Sequence, residues 1–157
     1  MANLDPYNAS SESECQAVLD TVGLGALVAK RSGINEPLSP DSLSQGQNQL
    51  FSLARAILRR RIRSSSSEKT SSGGILLLDE VSSSVDRDTD RLMQKIIMDE
   101  FANYTIVMVS HRLEMAMGFD KVVVMDKGSI VEEGNPTELL EREGGWFRGL
   151  CGIQNAK

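Results

Sequence analysis

Cysteine, histidine and long apolar runs are all scarce in this chain. The two cysteines, Cys15 and Cys151, stand far apart and lack the short spacing of metal ligands. Two reduced thiols in a reducing compartment account for them, and the sequence alone leaves a disulfide open. No stretch approaches the roughly 20 apolar residues that cross a bilayer. The opening residues Met1-Ala2-Asn3-Leu4-Asp5-Pro6 do not resemble a secretion signal. Positive charge is not in excess either: the formal net charge of -5 gives no general attraction for nucleic acid. What these absences lead one to expect is a soluble, cytosol-facing globular piece of one-domain length, to which any membrane role would have to come from attached or partner segments.

Residues 3–8 read as an extended or turn segment because of Asp5-Pro6. Ser10 to Glu14 has the polar cap and acidic first turn of a helix start. The helix predicted there runs to about Val22, with Ala17, Val18 and Val22 on one face. Gly23 and Gly25 break it, and a loop is expected through Gly33, Pro37 and Pro40. From Gln47 the periodicity sharpens. Leu50, Leu53, Ala54, Ile57 and Leu58 recur at helical spacing and share one face. Arg59, Arg60, Arg61 and Arg63 fall in the last turns, where cations complement a helix C-terminus; a binding patch is the other reading. Residues 64–74 are serine- and glycine-rich, too polar to bury a core, and read as a surface insertion. Beyond them short apolar runs alternate with helical stretches. Residues 75–78, 105–109 and 122–125 are expected to be buried strands of a parallel sheet. Residues 87–101 predict a helix with Leu92, Ile96 and Ile97 toward the core. Residues 121–133 resemble a hairpin turning at Asp126-Lys127-Gly128, and Asn135-Pro136-Thr137-Glu138 reads as the capped start of a last helix.

Three polar clusters punctuate this order. Ser44-Gln45-Gly46-Gln47 opens the long helix, where backbone N–H groups and the positive end of the macrodipole favour an anion. Gly46 lets a phosphate approach the backbone and Ser44 adds a hydroxyl donor; an ordinary cap serine beside a loop glycine is the plainer reading. Asp79-Glu80 ends an apolar strand, which is where ligand sites gather in α/β sheets. One carboxylate there can hold Mg²⁺ against nucleotide phosphates and its neighbour can orient an attacking water, although any strand running into a polar loop looks similar. His111, the one histidine, follows the run 105–109, where a neutral imidazole can hydrogen-bond a γ-phosphate or serve only the local fold. Each part suits a task in handling ATP, yet no Gly-x-x-x-x-Gly-Lys-Ser/Thr loop stands upstream of them in these residues.

In this order the residues resemble the C-terminal part of an ATP-binding cassette (ABC) nucleotide-binding domain. Leu43-Ser44-Gln45-Gly46-Gln47 is similar to the ABC signature and residues 75–79 to Walker B, with Glu80 in the catalytic-glutamate position. Residues 82–86 resemble the D-loop and His111 the switch histidine. Asn3-Leu4-Asp5-Pro6, residues 50–56 and residues 120–133 resemble the second nucleotide-binding domain of subfamily C, the multidrug-resistance-associated full transporters, and the serine-rich insertion is similar to that of fungal members.

The resemblance implies part of an α/β, P-loop NTPase-like ABC ATPase fold: a mostly parallel sheet flanked by helices, plus part of the helical subdomain. Residues 1–63 would supply that subdomain part, 64–74 the insertion, and 75–157 part of the ATPase core. In the family, two such domains close head to tail over two ATP molecules and drive attached transmembrane helices. The resemblance implies that Asp79 helps hold Mg²⁺, Glu80 polarises the hydrolytic water and His111 contacts the γ-phosphate. It implies that Ser44, Gln45, Gly46 and Gln47 face ATP held by the opposite domain, with Asp86 at the shared interface. The partners implied are a second nucleotide-binding domain and the transporter's transmembrane domains, at the cytoplasmic face of a membrane, with no nucleic acid. A soluble ABC ATPase and a non-catalytic cassette that only docks on an intact partner are the alternatives.

The chain departs from the family pattern at Gln45, where a small residue is more usual, and at Asn48, where a basic one is common. The aromatic A-loop, Walker A and Q-loop would precede Asn3 and do not occur in these 157 residues. Charge-assisted hydrogen bonds to a P-loop are worth roughly 1.5–3 kcal/mol each, so about four of them supply at least ~6 kcal/mol. Micromolar binding corresponds to only about 8 kcal/mol. The isolated polypeptide is therefore expected to bind ATP negligibly and not to turn it over. Titration calorimetry with Mg²⁺ and ATP checks this, and a dissociation constant in the micromolar range would overturn it.

Overall fold

The computed structural model describes residues 3–30, 42–65, 73–81 and 85–155. Its elements run in the order α1 (Glu12–Thr21), α2 (Gly25–Lys30), α3 (Gln45–Ser65), β1 (Ile75–Asp79), α4 (Arg87–Glu100), β2 (Thr105–Val109), α5 (Leu113–Ala116), β3 (Val122–Asp126), β4 (Ser129–Gly134), α6 (Pro136–Glu141) and α7 (Trp146–Asn155). The chain divides into two compact units, Met1–Met108 and Val109–Lys157. Among the described residues no helix is long and apolar enough to cross a membrane. The loop expected at Gly33, Pro37 and Pro40, most of the serine-rich insertion, and Ser82, Ser83 and Ser84 lie outside the described residues.

Unit one is organised by α3. Its stripe of Leu50, Leu53, Ala54, Ile57 and Leu58 is buried as the spacing predicts, and packs with Cys15, Val18 and Leu19 of α1 and Met93, Ile96 and Ile97 of α4. Ala17, expected on the inner face of α1, is exposed; Cys15, Val18 and Leu19 set that face instead. Leu92 is likewise exposed and Met93 takes its place, because the 93-96-97 spacing is the one that faces α3. α1 starts with a full capping box: Ser11 Oγ accepts from the Glu14 N–H and the Glu14 carboxylate accepts from the Ser11 N–H. Gly23, at φ +75°, ends the helix as expected, but the chain then forms α2, whose Val28 joins the core.

β1 and β2 form a two-stranded parallel sheet with α4 as the crossover. The strands are not fully buried, as their apolar runs suggest. Leu76, Leu78, Ile106 and Met108 point into the core, whereas Ile75, Leu77 and Val107 on the other face are largely exposed. A parallel sheet reads as continuously apolar because helices normally cover both faces. Within the described residues of unit one, helices cover one.

The arginine cluster resolves as structural at two of its positions. Arg60 and Arg61 both bind the Glu100 carboxylate at the end of α4, Arg61 at 2.5 Å, and Arg60 also lies 5.9 Å from the centre of the Phe101 ring. Burial pushes the Glu100 carboxyl up, but hydrogen bonds and charge from Arg61 and then Arg60 outweigh it and hold the group below its ordinary 4.5.

Unit two is a β-hairpin backed by helices. β3 and β4 pair antiparallel, Asp126 opposite Ser129, so β3 belongs to this hairpin rather than to the parallel sheet. Lys127 and Gly128 both have positive φ, 49° and 80°, the conformation that tight two-residue hairpin turns require. The single last helix expected after Asn135 is two helices. Asn135 caps α6 by accepting from the Thr137 N–H, with Pro136 following. Glu132 ties the unit together. Its side chain is 4 % exposed, its Oε2 accepts from the Phe147 N–H at 2.7 Å, and its Oε1 accepts from Arg142 at 3.1 Å. A Cβ on Gly145 would meet that Oε1 at 2.9 Å, so glycine admits the carboxylate to the first turn of α7.

These contacts generate two expectations. Glu132→Ala strands the buried Phe147 N–H and should cost roughly 2–3 kcal/mol of stability in urea melts. The Glu100 contribution is complete above the ordinary carboxylate value and is lost as pH falls through the depressed folded one. Melting temperature should therefore drop as pH falls below 4.5, and in Glu100→Gln that drop should be shallower.

Candidate functional site

The first turn of α3 is built by a capping box that the sequence carries as Ser-x-x-Gln. The Ser44 N–H donates to Gln47 Oε1 at 3.0 Å and the Gln47 N–H donates to Ser44 Oγ at 3.2 Å. The Asn48 N–H donates to the Ser44 carbonyl at 2.9 Å. Among the described hydrogen bonds, the N–H groups of Gln45 and Gly46 have no protein acceptor. They stand at the positive end of a 21-residue helix whose last turns are basic. Ser44 Oγ accepts within the cap, which leaves its hydroxyl proton to donate elsewhere. Ser44 and Gln45 are exposed; Gly46 and Gln47 are half-buried.

The end of β1 faces the same region. Asp79 and Gln45 both line a cavity of about 460 Å³ between α3 and β1. Gln49, Ser52, Leu77 and Met93 line it too, and the side-chain oxygen of Gln49 is buried there without a partner. Asp79 and Glu80 are exposed carboxylates, and Glu80 sits at φ 45°, in the left-handed region that costs a residue with a side chain about 1–2 kcal/mol. Adjacent carboxylates at a strand end can present hard oxygen ligands to a cation and accept a hydrogen bond from water. Among the described residues no three His, Cys, Asp or Glu side chains gather as a complete metal site. Asp79 alone fits Mg²⁺, which takes one or two carboxylates and completes its shell with phosphate and water.

Asp86 begins α4. Its Oδ1 accepts from the N–H groups of Asp88 and Thr89, and its Oδ2 from the Thr89 hydroxyl at 2.7 Å. The Thr89 backbone bond is the main cause that lowers the Asp86 pKa. The residue before it, Val85, is buried, and a Cβ on Gly46 would lie 3.1 Å from its Cγ1. Sequence reasoning missed Val85, which reads as one apolar residue in a serine-rich loop. It also missed the reciprocal Ser44/Gln47 cap, although Ser-x-x-Gln was a signal for it.

The structure thus brings Ser44, Gln45, Gly46, Gln47, Asp79, Glu80 and Asp86 into unit one. His111 belongs to unit two, where it is exposed in the turn before α5. The neighbouring Ser110 Oγ accepts from the Arg112 N–H at 2.9 Å and shapes that turn. Cys15 and Cys151 are free thiols, and burial pushes both pKa values up, away from reactivity.

No family model matches the chain. Among curated proteins, the ABC-type transporter braE of Annulohypoxylon truncatum is 54 % identical over 154 residues, 96 % of this chain and 10 % of that protein. The ABC transporter FGM5 of Gibberella zeae is 52 % identical over 97 % of this chain and 10 % of its own length. Human ATP-binding cassette sub-family C member 2 is 38 % identical over 92 % of this chain and 9 % of its own length. The chain therefore spans about 10 % of the length of the curated relatives it matches. Among solved structures, a bacterial Atm1-family ABC exporter with ATP bound superposes with a TM-score of 0.81 at 22 % identity, covering 99 % of this chain and 26 % of that one. At that identity the likeness speaks for the fold, and the partial ABC ATPase fold expected from the sequence is the fold found. The chain belongs to the ABC transporter family, with relatives among fungal transporters and in subfamily C.

Proposed function

We propose that the chain is the C-terminal part of the second nucleotide-binding domain of a subfamily C transporter, and that its residues serve ATP hydrolysis coupled to solute export. The observation that carries this reading is the meeting, at one end of unit one, of the capped start of α3, the carboxyl end of β1 and the start of α4. Two positive helix ends lie beside exposed carboxylates, an arrangement suited to a metal-bound polyphosphate.

Bound Mg²⁺-ATP supplies the electrophilic phosphoryl group and the charge that the site must balance. Asp79 would help hold the cation through its carboxylate. Glu80 accepts a hydrogen bond from the hydrolytic water and orients it for in-line attack. His111 donates an imidazole N–H to the γ-phosphate. These three serve nucleotide cradled by a P-loop elsewhere in the same domain. Ser44, through its hydroxyl, and Gln45 and Gly46, through their N–H groups, address nucleotide on a second nucleotide-binding domain facing head to tail, with Gln47 holding the turn and Asp86 at the interface. Closing and reopening of that pair would move the transmembrane domains, which places this chain on the cytoplasmic side of a membrane.

The test is made in the full-length transporter that carries this segment. Glu80→Gln should retain nucleotide binding and lower turnover by about 10²-fold or more, the scale of a lost general base. Undiminished hydrolysis would remove the role given to Glu80. Glu80→Gly, which removes the carboxylate altogether, should be equally inactive.

A further inference from the structure

The far end of α3 carries a serine inside the arginine cluster. Ser64 is exposed, and its Oγ donates to the Arg60 carbonyl at 3.0 Å. Arg59, Arg60, Arg61 and Arg63 stand five, four, three and one residues before it. α3 ends at Ser65, so presenting Ser64 as extended chain unwinds only the last turn. Protein kinases select substrates by such charge patterns beside the serine. Arg60 and Arg61 already have a structural task. Both bind the Glu100 carboxylate and so tie the end of α3 to the end of α4. Arg61 also reaches Thr21 Oγ1 at 3.4 Å, and Arg60 lies against the Phe101 ring. A helical side chain leans over the turn on its N-terminal side, so a group added to Ser64 lies over the turn that holds Arg60 and Arg61.

We propose that Ser64 is a phosphorylation site for an arginine-directed protein kinase, and that its phosphate releases Glu100 from Arg60 and Arg61. In the step, Ser64 Oγ attacks the γ-phosphorus of ATP bound to the kinase. The bond from that phosphorus to the β,γ-bridging oxygen breaks, ADP leaves with the electron pair, and the hydroxyl proton passes to a base of the kinase. The phosphate dianion has acceptors only, so the bond to the Arg60 carbonyl is lost. A charge of about -2 then stands at the negative end of α3, which unwinds the last turn. The same charge exceeds that of the Glu100 carboxylate and competes with it for both guanidinium groups. The end of α3 thereby comes away from the end of α4. This inference needs only the fold of unit one and is independent of the roles given to Glu80 and His111.

The test uses the full-length transporter that carries this segment, incubated with Mg²⁺, ATP and the catalytic domain of a kinase that requires arginine three residues before its serine, the place of Arg61. Fragmentation mass spectrometry should place phosphate on Ser64, and Ser64→Ala should remove that site. In the phosphorylated parent, deuterium exchange of a peptide covering residues 97–104 should quicken by about tenfold. Ser64→Glu, which carries half the charge, should quicken it by about threefold with no kinase added. In Glu100→Gln the tie is already lost, so phosphorylation there should change the exchange by less than about twofold. Phosphate found only on other residues would overturn the proposal, as would exchange at 97–104 that phosphate on Ser64 leaves unchanged. Equal quickening in the parent and in Glu100→Gln would overturn the release of Glu100, because the effect would then not pass through that carboxylate.

Discussion

Ala54 and Ile57 have no exposed surface, and with Leu53 and Leu58 they hold α3 against α1 and α4. That burial fixes everything else in unit one. At 1.5 Å per residue, the stretch from Gly46 to Arg60 spans about 21 Å, and so does α4. The two helices lie close at their starts, where a Cβ on Gly46 would crowd Val85, and are joined at their ends by Arg60 and Arg61 on Glu100. They therefore run in the same direction. Parallel neighbours bring like dipole ends together, a modest electrostatic cost of the same order as other helix-dipole terms. Apolar burial of several large side chains, each worth about 1.5–3 kcal/mol, outweighs it. The product is a concentration of positive helix ends beside Asp79, where the adjacent carboxylates of Asp79 and Glu80 stand exposed at a strand terminus.

Unit two solves a different problem. A hairpin and short helices have little apolar surface to share: Val124, Leu139 and Phe147 form its buried centre. Specificity comes from Glu132, a buried carboxylate that receives the first turn of α7 and an arginine from the loop before it. Burying a charge is costly unless its lone pairs are used, and here both oxygens are used. The bulge between Val124 and Met125 shifts the register, so that Glu132 pairs with Val124 on the inward face of the hairpin.

What could be read from the sequence divides along physical lines. The α3 stripe was legible because its spacing repeats over several turns and no local residue opposes it. The hairpin was legible from Asp126-Lys127-Gly128, where glycine supplies a positive φ. Leu92 and Ala17 were misplaced because one step of 100° around a helix separates an inward from an outward residue, and composition does not measure that step. The exposed face of β1 was not legible at all: Ile75 and Leu77 have the composition of a strand covered on both sides, and the cover is not among the described residues. Of the site, the polar clusters were visible as residues, whereas the Gly46–Val85 contact was not, since it joins positions far apart in the chain through shape alone.

Glu80 combines a left-handed backbone with an exposed side chain. Its backbone occupies a region that disfavours a residue bearing a Cβ, yet its side chain is exposed. Glycine or asparagine would adopt the same turn at lower cost. The left-handed turn redirects the chain immediately after Asp79, so the two carboxylates do not simply alternate across the sheet as consecutive strand residues would. Two neighbouring acids released from that alternation can take separate tasks, one on a cation and the other on water, which is the division of labour proposed for them.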